Sequence, residues 1–507
     1  MSNNDTSTSR KTFTGFIWRF LERVGAEAIG FVLSIILARI LDPGDYGTVA
    51  LITVFTSILS VFISSGMGAS LIQKKDADDL DFSTLFYFNI VMCLSLYAIM
   101  FFVAPLIANF YERPEMTLMI RVSSLTLVVS GVKNIQSAYV SRNMLFKKFF
   151  FSTLGGTIAA AVVGIVMALN GFGVWALIVQ SLLNHTIDTI ILWITVKWRP
   201  KKMFSFERLK GLFSYGWKLL ISALLDTGYG KLRDLIIGKK YSSEDLAFYN
   251  KGSTFPNLIV TNINSSIDSV LFPTMSAAQD EPDKVRSMTR RAIKTSTYLM
   301  MPFMMGLAVC ADPIIRILLT EKWLPAAFFM RIFCFTYAFY PIATANLNAM
   351  KALGRSDYFL KLEIIKKIVG LAAIFSTMWI SVEAMAYSLL VTCILSQIIN
   401  SWPNKKLLNY SYLDQVKDML PQILLSCAMG AIVYCVGFIP FGAWVETWNA
   451  GEWVYSWHVA EILQLLLQVP LGAAIYIGGS KLFHIDSFDY MLDLIKGFFK
   501  KRKKEKS

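Results

Sequence analysis

The chain has 507 residues, of which 55% are hydrophobic and only 17% are charged, and its formal net charge at pH 7 is +14. A soluble protein of this length would carry about 25% charged residues, so the composition excludes an ordinary soluble enzyme. The basic excess does not indicate nucleic-acid binding either, because the Lys and Arg residues fall in short loops between apolar blocks.

Apolar blocks of about 20 residues, the length that crosses a bilayer core as a helix, recur along the whole sequence. They predict an all-α polytopic membrane protein with about 14 transmembrane helices. The predicted spans are 12–40, 46–72, 83–110, 116–140, 149–169, 173–196, 214–237, 247–272, 285–310, 324–350, 359–379, 382–402, 417–438 and 457–480.

Basic residues are distributed unequally between the two sides of this arrangement. With the N-terminus inside, the cytoplasmic segments hold about 32 Lys and Arg residues and the outer loops hold about 6. This asymmetry predicts that both termini are cytoplasmic. The Trp-rich segment at 439–456 then lies outside and fits an interfacial belt, and the tail KGFFKKRKKEKS fits a topology anchor that contacts anionic lipids.

Composition and a weak internal repeat predict the domain organisation. WRFL at 18–21 matches WKLL at 217–220, and Arg39 then falls beside Lys239, which indicates parallel repeats of six spans each. The predicted domains are a cytoplasmic N-terminus at 1–11, a first lobe at 12–196, a basic inter-lobe linker at 197–213, a second lobe at 214–402, two further spans at 403–480 and a basic cytoplasmic tail at 481–507.

The first span carries charges that a lipid-facing helix would not tolerate. Arg19, Glu22, Arg23 and Glu27 fall within an arc of about 140° on a helix of 3.6 residues per turn. Arg23 and Glu27 are spaced as an ion pair, and both lie deep enough to require a bundle interior or a wet cavity. Snorkelling to the cytoplasmic interface remains the alternative for Arg19 and Glu22.

Further ionisable or polar residues fall inside other predicted spans. They are Arg121 and Lys133 in span four, His185 and Asp188 in span six, Lys218, Asp226, Lys231, Arg233 and Asp234 in span seven, Asn262, Asn264 and Asp268 in span eight, Arg331 in span ten, and Glu363, Lys366 and Lys367 in span eleven. The cationic excess predicts a cavity that attracts an anion, with titratable groups for ion coupling. Ion pairs that only fix helix packing are the alternative.

We expect two sets of candidate site residues on this basis. The candidate substrate-binding cations are Arg19, Arg23, Lys133, Lys218, Lys231, Arg233 and Lys366, and the candidate ion-coupling residues are Glu27, Asp226, His185 and Asp188. We expect no catalytic residue, metal site or cofactor, because the sequence has no nucleophile–base motif, no phosphate-cradling glycine loop and no metal-ligand spacing.

Six stretches, in order along the first twelve spans, resemble the polysaccharide transporter (Wzx-type oligosaccharide flippase) branch of the multidrug/oligosaccharidyl-lipid/polysaccharide exporter superfamily. They are ARILDPGDYG at 38–47, NGFGVWALIVQSL at 170–182, KWRP at 197–200, FSYGWKLLISALLD at 213–226, LIIGKKYSSEDLAFYNKGSTFP at 235–256 and VLFPTMSAAQDEPDKVR at 270–286. The sequence looks nearest to exporters of the colanic-acid and teichuronic-acid type. Gly44 and Gly47 suit a tight turn between spans one and two, and Pro256 and Pro273 would bend or end span eight.

The resemblance implies a MATE-like fold of two six-helix lobes around a central cavity, with two additional C-terminal helices. It implies a non-enzymatic transporter in the bacterial cytoplasmic membrane that moves an oligosaccharide repeat unit on polyprenyl diphosphate to the outer leaflet. Coupling to H⁺ or Na⁺ through Asp226, Glu27 or the His185/Asp188 pair is a separate hypothesis from the titratable residues. Membrane lipids and the polymerase and glycosyltransferases of the same pathway are the implied partners. Arg19, Arg23 and Lys218 would then meet the diphosphate, since Arg binds phosphate bidentately.

Three alternatives remain open at this stage. A cation-coupled exporter of drugs or small metabolites could use the same fold, although its cavity should be net acidic. A membrane polymerase or ligase should have a sizeable outward-facing loop, and NGFG at 170–173 is minimal. A scaffold protein would leave the cationic interior unexplained. The roles of His185 and Asp188 rest on their depth alone, and the last two spans carry no motif that assigns them a role.

Overall fold

The computed structural model describes residues 2–64, 67–74, 76–439, 441, 458–493 and 496, without the side chains of 2–17, 20, 67, 69, 73, 214, 215, 218 and 356. Most of the predicted Trp-rich loop and of the segment KGFFKKRKKEKS at 496–507 therefore lies outside the described residues, as does the side chain of Lys218.

Helices are the only regular secondary structure in the part of the chain that the structure describes. The helices are α1 Ser2–Ile40, α2 Pro43–Ser64, α3 Met67–Gln73, α4 Asp79–Phe110, α5 Met116–Arg142, α6 Phe146–Leu169, α7 Val174–Thr195, α8 Phe206–Lys240, α9 Ser243–Ser276, α10 Pro282–Val309, α11 Ala311–Leu319, α12 Ala326–Ala338, α13 Tyr340–Ala352, α14 Ser356–Thr377, α15 Val382–Leu408, α16 Tyr412–Val436 and α17 Val459–Leu482. One 3₁₀ turn, Glu321–Trp323, connects α11 to α12.

The helices confirm the predicted all-α membrane architecture. Within the described ranges, nine segments are long and apolar enough to cross a membrane, and α10 with α11 forms a tenth that is bent by 67°. The predicted spans one, seven, eight and eleven coincide with α1, α8, α9 and α14, whose polar and charged residues lower their hydropathy. Together these helices account one to one for the predicted spans.

The helix boundaries agree with the predicted internal repeat. A break of two residues separates α1, which ends at Ile40, from α2, which begins at Pro43. The same two-residue break separates Lys240 at the end of α8 from Ser243 at the start of α9. Helix α9 then continues through both Pro256 and Pro273, so neither proline ends the helix.

The chain divides into two compact units, Met1–Ala247 and Phe248–Ser507. In the first unit α6 packs on α1 and α7, α5 packs on α4 and α7, and α8 packs on α2. In the second unit α10 packs on α12, α13 and α16, while α17 packs on α16 and α11. The predicted lobe boundaries at 196 and 214 stay a prediction.

The segment between α7 and α8 packs against the start of α4 through aromatic contacts, a hydrogen bond and an ion pair. The Trp198 ring joins the aromatic cluster of Phe82 and Phe86, and its Nε1 donates to the Asp79 carboxylate over 3.2 Å. Lys201 reaches the same carboxylate over 2.6 Å. The basic linker sequence is therefore held by the acidic residues that open α4.

A second group of charges at this end of α4 completes the attachment. Asp81 is fully buried and lies 2.6 Å from Lys74 and 3.6 Å from Arg208, the latter in the first turn of α8. Asp78 caps α4 by accepting from the backbone N–H of Asp81, which lowers the pKa of the Asp78 carboxyl. The contact between Asp81 and Arg208 fixes the start of α8 within the first unit.

Gly47 has a packing role that differs from the predicted one. The tight turn between the first two helices falls at Leu41 and Asp42, whereas Gly44 and Gly47 lie within α2. A Cβ atom on Gly47 would overlap the backbone carbonyl of Ser243 at the start of α9. Glycine is required here because the two backbones touch, not because the residue needs an unusual φ.

We predict that Gly47→Ala destabilises the protein by about 3 kcal/mol, because backbone atoms cannot move aside as a flexible side chain can. Gly30→Ala is the matched control, since a Cβ atom on Gly30 meets nothing within 4 Å. The melting temperature of the purified protein should fall for the first variant and hold or rise for the second. Equal melting temperatures would show that this contact is not tight.

Candidate functional site

One face of α1 packs against α6. The Trp18 ring lies 5.2 Å from Phe150 in an edge-on arrangement, and Thr153 donates to Glu22 over 3.4 Å. Gly25 approaches Leu154 on the same side. Glu22 is therefore held at the helix interface and is 9% exposed.

The opposite face of α1 carries an exposed ion pair. Arg23 Nε lies 3.1 Å from Glu27, and the two side chains are 48% and 35% exposed. Arg19 lies 2.5 Å from Glu22, with its guanidinium over the Phe149 ring, and remains 55% exposed. The structure therefore contains the predicted i, i+4 pair of Arg23 and Glu27. The guanidinium groups of Arg19 and Arg23 both remain accessible at the surface of the first unit.

The other predicted cations with described side chains also have acidic neighbours. Lys366 lies 2.6 Å from Glu363, and Lys231 lies 3.2 Å from Asp234. Arg233 and Asp234 are buried, whereas Asp226 is exposed on α8. Lys366 and Lys231 are therefore each paired with a carboxylate one helical turn away on the same helix.

Lys133 and Asp188 form a pair that joins α5 to α7. The lysine Nζ donates to Oδ2 of the aspartate, whose residue is 7% exposed. The second oxygen, Oδ1, is buried and accepts no hydrogen bond from any described residue. Two residues that the sequence placed in separate roles, substrate binding and ion coupling, are thus brought into direct contact.

His185 lies one turn before Asp188 and opens into a cavity of about 220 Å³ between α2, α5 and α7. Eight of the 13 described lining residues carry a hydroxyl group: Thr53, Thr56, Ser57 and Ser60 from α2, Ser123, Thr126 and Ser130 from α5, and Ser181 from α7. Several of these hydroxyls donate to carbonyls of their own helix, as Thr53 does to Val49 and Ser60 to Ser57. Such hydroxyls present lone pairs to the cavity and can accept hydrogen bonds there.

A polar face also runs along the middle of α9, in the second unit. Its exposed members are Thr261, Asn262, Ser265, Ser266 and Ser269. These positions fall within an arc of about 140° on a helix, so they form one continuous face. The Asn and Ser side chains donate to carbonyls of their own helix, and a continuous polar face of this kind is typical of a helix that faces a bundle interior or water.

Two of these features were not predicted from the sequence. Only Asn262 was expected from the exposed face of α9, and only His185 from the hydroxyl-lined cavity. A signal was present for the cavity, since Thr53, Thr56, Ser57 and Ser60 recur at i, i+3, i+4 and i+7 of α2. Ser and Thr are uncharged and common in membrane helices, which made the pattern easy to overlook.

A family model described as "Polysaccharide biosynthesis protein" matches residues 36–328, more than half of the chain. The chain belongs to this family. The match spans α2 to α11 and includes the polar face of α9 and the Lys133–Asp188 pair.

Two relatives of known designation extend the match over most of the chain. The teichuronic acid biosynthesis protein TuaB of Bacillus subtilis is 22% identical over 85% of this chain and 90% of its own length. The lipopolysaccharide biosynthesis protein WzxC of Escherichia coli is 22% identical over 84% of this chain and 89% of its own length. The family assignment therefore confirms the resemblance stated from the sequence motifs.

Solved structures share the fold. The inward closed conformation of the lipid II flippase MurJ superposes with a TM-score of 0.72 at 15% identity, covering 93% of this chain and 99% of that one. An inward-facing MATE family multidrug transporter superposes with a TM-score of 0.59 at 13% identity, covering 75% and 95%. The protein has the fold of this group of membrane transporters.

We predict that Lys133→Met costs about 3–5 kcal/mol of stability, because it leaves the buried Asp188 carboxylate without its counter-charge. The double variant Lys133→Met, Asp188→Leu should recover most of that loss, since it removes both charges. Melting temperature checks both statements. A single variant as stable as the double variant would mean that the pair is not buried in a dry environment.

Proposed function

We propose that this protein is a flippase that moves oligosaccharide repeat units, linked to polyprenyl diphosphate, from the cytoplasmic to the outer leaflet for surface polysaccharide synthesis. The observation that carries the proposal is that each unit contributes a membrane helix with an exposed polar face, α1 in the first and α9 in the second. Contact with lipid would raise the free energy of each polar face, whereas contact with water and a polar headgroup would lower it. The family membership supports polysaccharide synthesis as the pathway.

The α1 face fits the diphosphate. An exposed Arg–Glu pair contributes only about 0–1 kcal/mol, so a phosphate group can replace Glu27 as the partner of Arg23 at little cost. The guanidinium then binds phosphate oxygens bidentately, as Lys cannot. Arg19 lies one turn away and is also accessible. We assign these two residues to the headgroup and keep Lys218 as a further candidate from the sequence.

The α9 face fits the neutral sugars. Asn262 donates its amide N–H to Leu258, and Ser266 donates to the carbonyl of Asn262. A serine hydroxyl that donates in this way keeps lone pairs that can accept, and sugar hydroxyls are hydrogen-bond donors. An uncharged face of this kind can contact sugars of different sequence without the cost of desolvating a charge.

We propose that transport proceeds by alternating access and that H⁺ or Na⁺ drives the return of the empty carrier. The unsatisfied Oδ1 atom of Asp188 supports this, because it can accept a proton or a water from the interior. The acceptor-lined cavity at His185 lies one helical turn away and could hydrate it. Glu27 and Asp226 remain candidates for the same role, since both are exposed within the membrane segment.

We predict that Arg23→Gln lowers the initial rate of flipping by about tenfold to a hundredfold, because it removes a charge-assisted contact to the diphosphate. Arg23→Lys should retain part of the rate, since it keeps the charge but not the bidentate geometry. The measurement is transfer of lipid-linked oligosaccharide in vesicles that contain the purified protein.

Arg355→Gln is the control for charge loss. Arg355 pairs with Asp357 outside the membrane-spanning segments, and its hydrogen bonds lower the pKa of that carboxyl to about 2. This variant should flip at the wild-type rate. Wild-type flipping by Arg23→Gln as well would remove Arg23 from the diphosphate site.

We predict that Ser265→Leu reduces flipping at least about tenfold, because it places an apolar side chain on the hydrated face of α9. Ser95→Leu is the matched control: Ser95 is also exposed in the membrane and donates to its own helix, but its neighbours are the exposed apolar residues Val91, Leu94 and Ile99. That variant should insert normally and keep its rate. Equal rates for the two variants would argue that both serines face lipid.

A further inference from the structure

Two side-chain hydrogen bonds join α9 to α13 in the second unit. Thr344 donates its hydroxyl to Asn264 Oδ1 over 2.8 Å, and Asn348 donates Nδ2 to Asp268 Oδ1 over the same distance. Each bond joins residues that are 80 positions apart, and the two bonds lie about one helical turn from each other on both helices. Helix α13 itself packs on α10 and α15, so both bonds attach α9 to a packed helix.

Asp268 lies at one edge of the polar face of α9 and is exposed, as the members of that face are. At 3.6 residues per turn it is rotated by about 20° around the helix axis from Thr261. Its partner Asn348 is only 2% exposed, so a buried amide holds an exposed carboxylate. In the predicted topology the span that contains α9 runs inward and ends at 272, which places Asp268 near its cytoplasmic end.

The Asp268 carboxylate is distinguished by its neutral partner. Among the residues that the structure describes, no Lys, Arg or His forms an ion pair with it, and the Asn348 amide is its hydrogen-bond donor. An ionised carboxylate has about four lone-pair sites, so Asp268 keeps about three for other donors. Other carboxylates on the membrane helices pair with a base, as Glu27, Asp188, Asp234 and Glu363 do.

We propose that Asp268 selects the glycans that this flippase accepts, an inference that rests on the proposed function. A carboxylate accepts hydrogen bonds from two adjacent hydroxyls of one neutral sugar, whereas it repels a sugar that carries its own carboxylate. The neutral side chains of the α9 face discriminate little between these sugars, since they carry no charge. The glycan class that fits α9 is therefore neutral and rich in hydroxyl groups.

Asn348 acts on the glycan through Asp268 and is a positioning residue. Its bond to Oδ1 restricts the rotation of the carboxylate and leaves Oδ2 for the sugar. Less conformational freedom is then lost when the sugar binds, which favours the correctly placed donors.

The charge is tested with two probes that differ in one group. Vesicles that contain the purified full-length protein receive polyprenyl diphosphate carrying a glucose disaccharide, or the same disaccharide ending in glucuronic acid. We expect the wild-type protein to move the neutral probe about tenfold faster, and Asp268→Asn to move both at similar rates. Asp357→Asn removes an exposed carboxylate outside the membrane-spanning segments and should keep the preference.

The positioning role is tested at the two bonds between the same helices. Asn348→Leu removes the donor to Asp268 at similar side-chain volume and should lower the preference for the neutral probe at least about threefold. Thr344→Val removes the neighbouring bond, leaves Asp268 in place and should keep the preference, so it is the matched control. An unchanged preference in Asn348→Leu would remove the positioning role.

The same measurements separate this inference from the proposed function. Equal rates for the two probes in the wild type, or an unchanged preference in Asp268→Asn, would overturn the selection by Asp268 and leave the flippase standing. A change in the Na⁺ or pH dependence of Asp268→Asn with the preference intact would assign the carboxylate to ion coupling instead. Transport of neither probe by the wild type would overturn the proposed function as well.

Discussion

An ionisable side chain inside a membrane must have a counter-charge or water, because the hydrocarbon core offers neither. The described spans of this protein satisfy the requirement in two ways. Lys133 and Asp188 pair across two helices in a buried position, while Arg23 and Glu27 pair along one helix and stay exposed. The packing of the first unit and the exposure of the α1 face both follow from how these charges are satisfied.

Pairs within one helix could be predicted from the sequence, and pairs between helices could not. Arg23 and Glu27 are four residues apart, so helical geometry alone brings them together, and the structure confirms the pair. Lys133 and Asp188 lie on different helices, and their partnership depends on how α5 packs on α7. The sequence therefore placed them in different roles, although both lie on helices that are long and apolar enough to cross a membrane.

The distinction between features within one helix and contacts between helices also explains why the overall fold could be predicted and the role of Gly47 could not. Apolar length and ordered motifs sufficed to predict the helical architecture, because both can be read from local sequence. The requirement for glycine at Gly47 depends on the approach of another helix, at Ser243, and local sequence could suggest only a turn.

The two kinds of ion pair differ in how readily they can exchange partners. Breaking the buried Lys133–Asp188 pair costs about 3–5 kcal/mol, so it persists unless Asp188 changes its protonation state. The exposed Arg23–Glu27 pair contributes no more than about 1 kcal/mol, which a phosphate with charge-assisted hydrogen bonds easily exceeds. A binding residue in a transporter must release its ligand as well as bind it. In the proposed mechanism a weak internal partner serves this need, because Glu27 can pair with Arg23 again when the headgroup leaves. In this proposal Arg19 and Arg23 of α1 bind the headgroup transiently. The Lys133–Asp188 pair holds α5 and α7 together throughout.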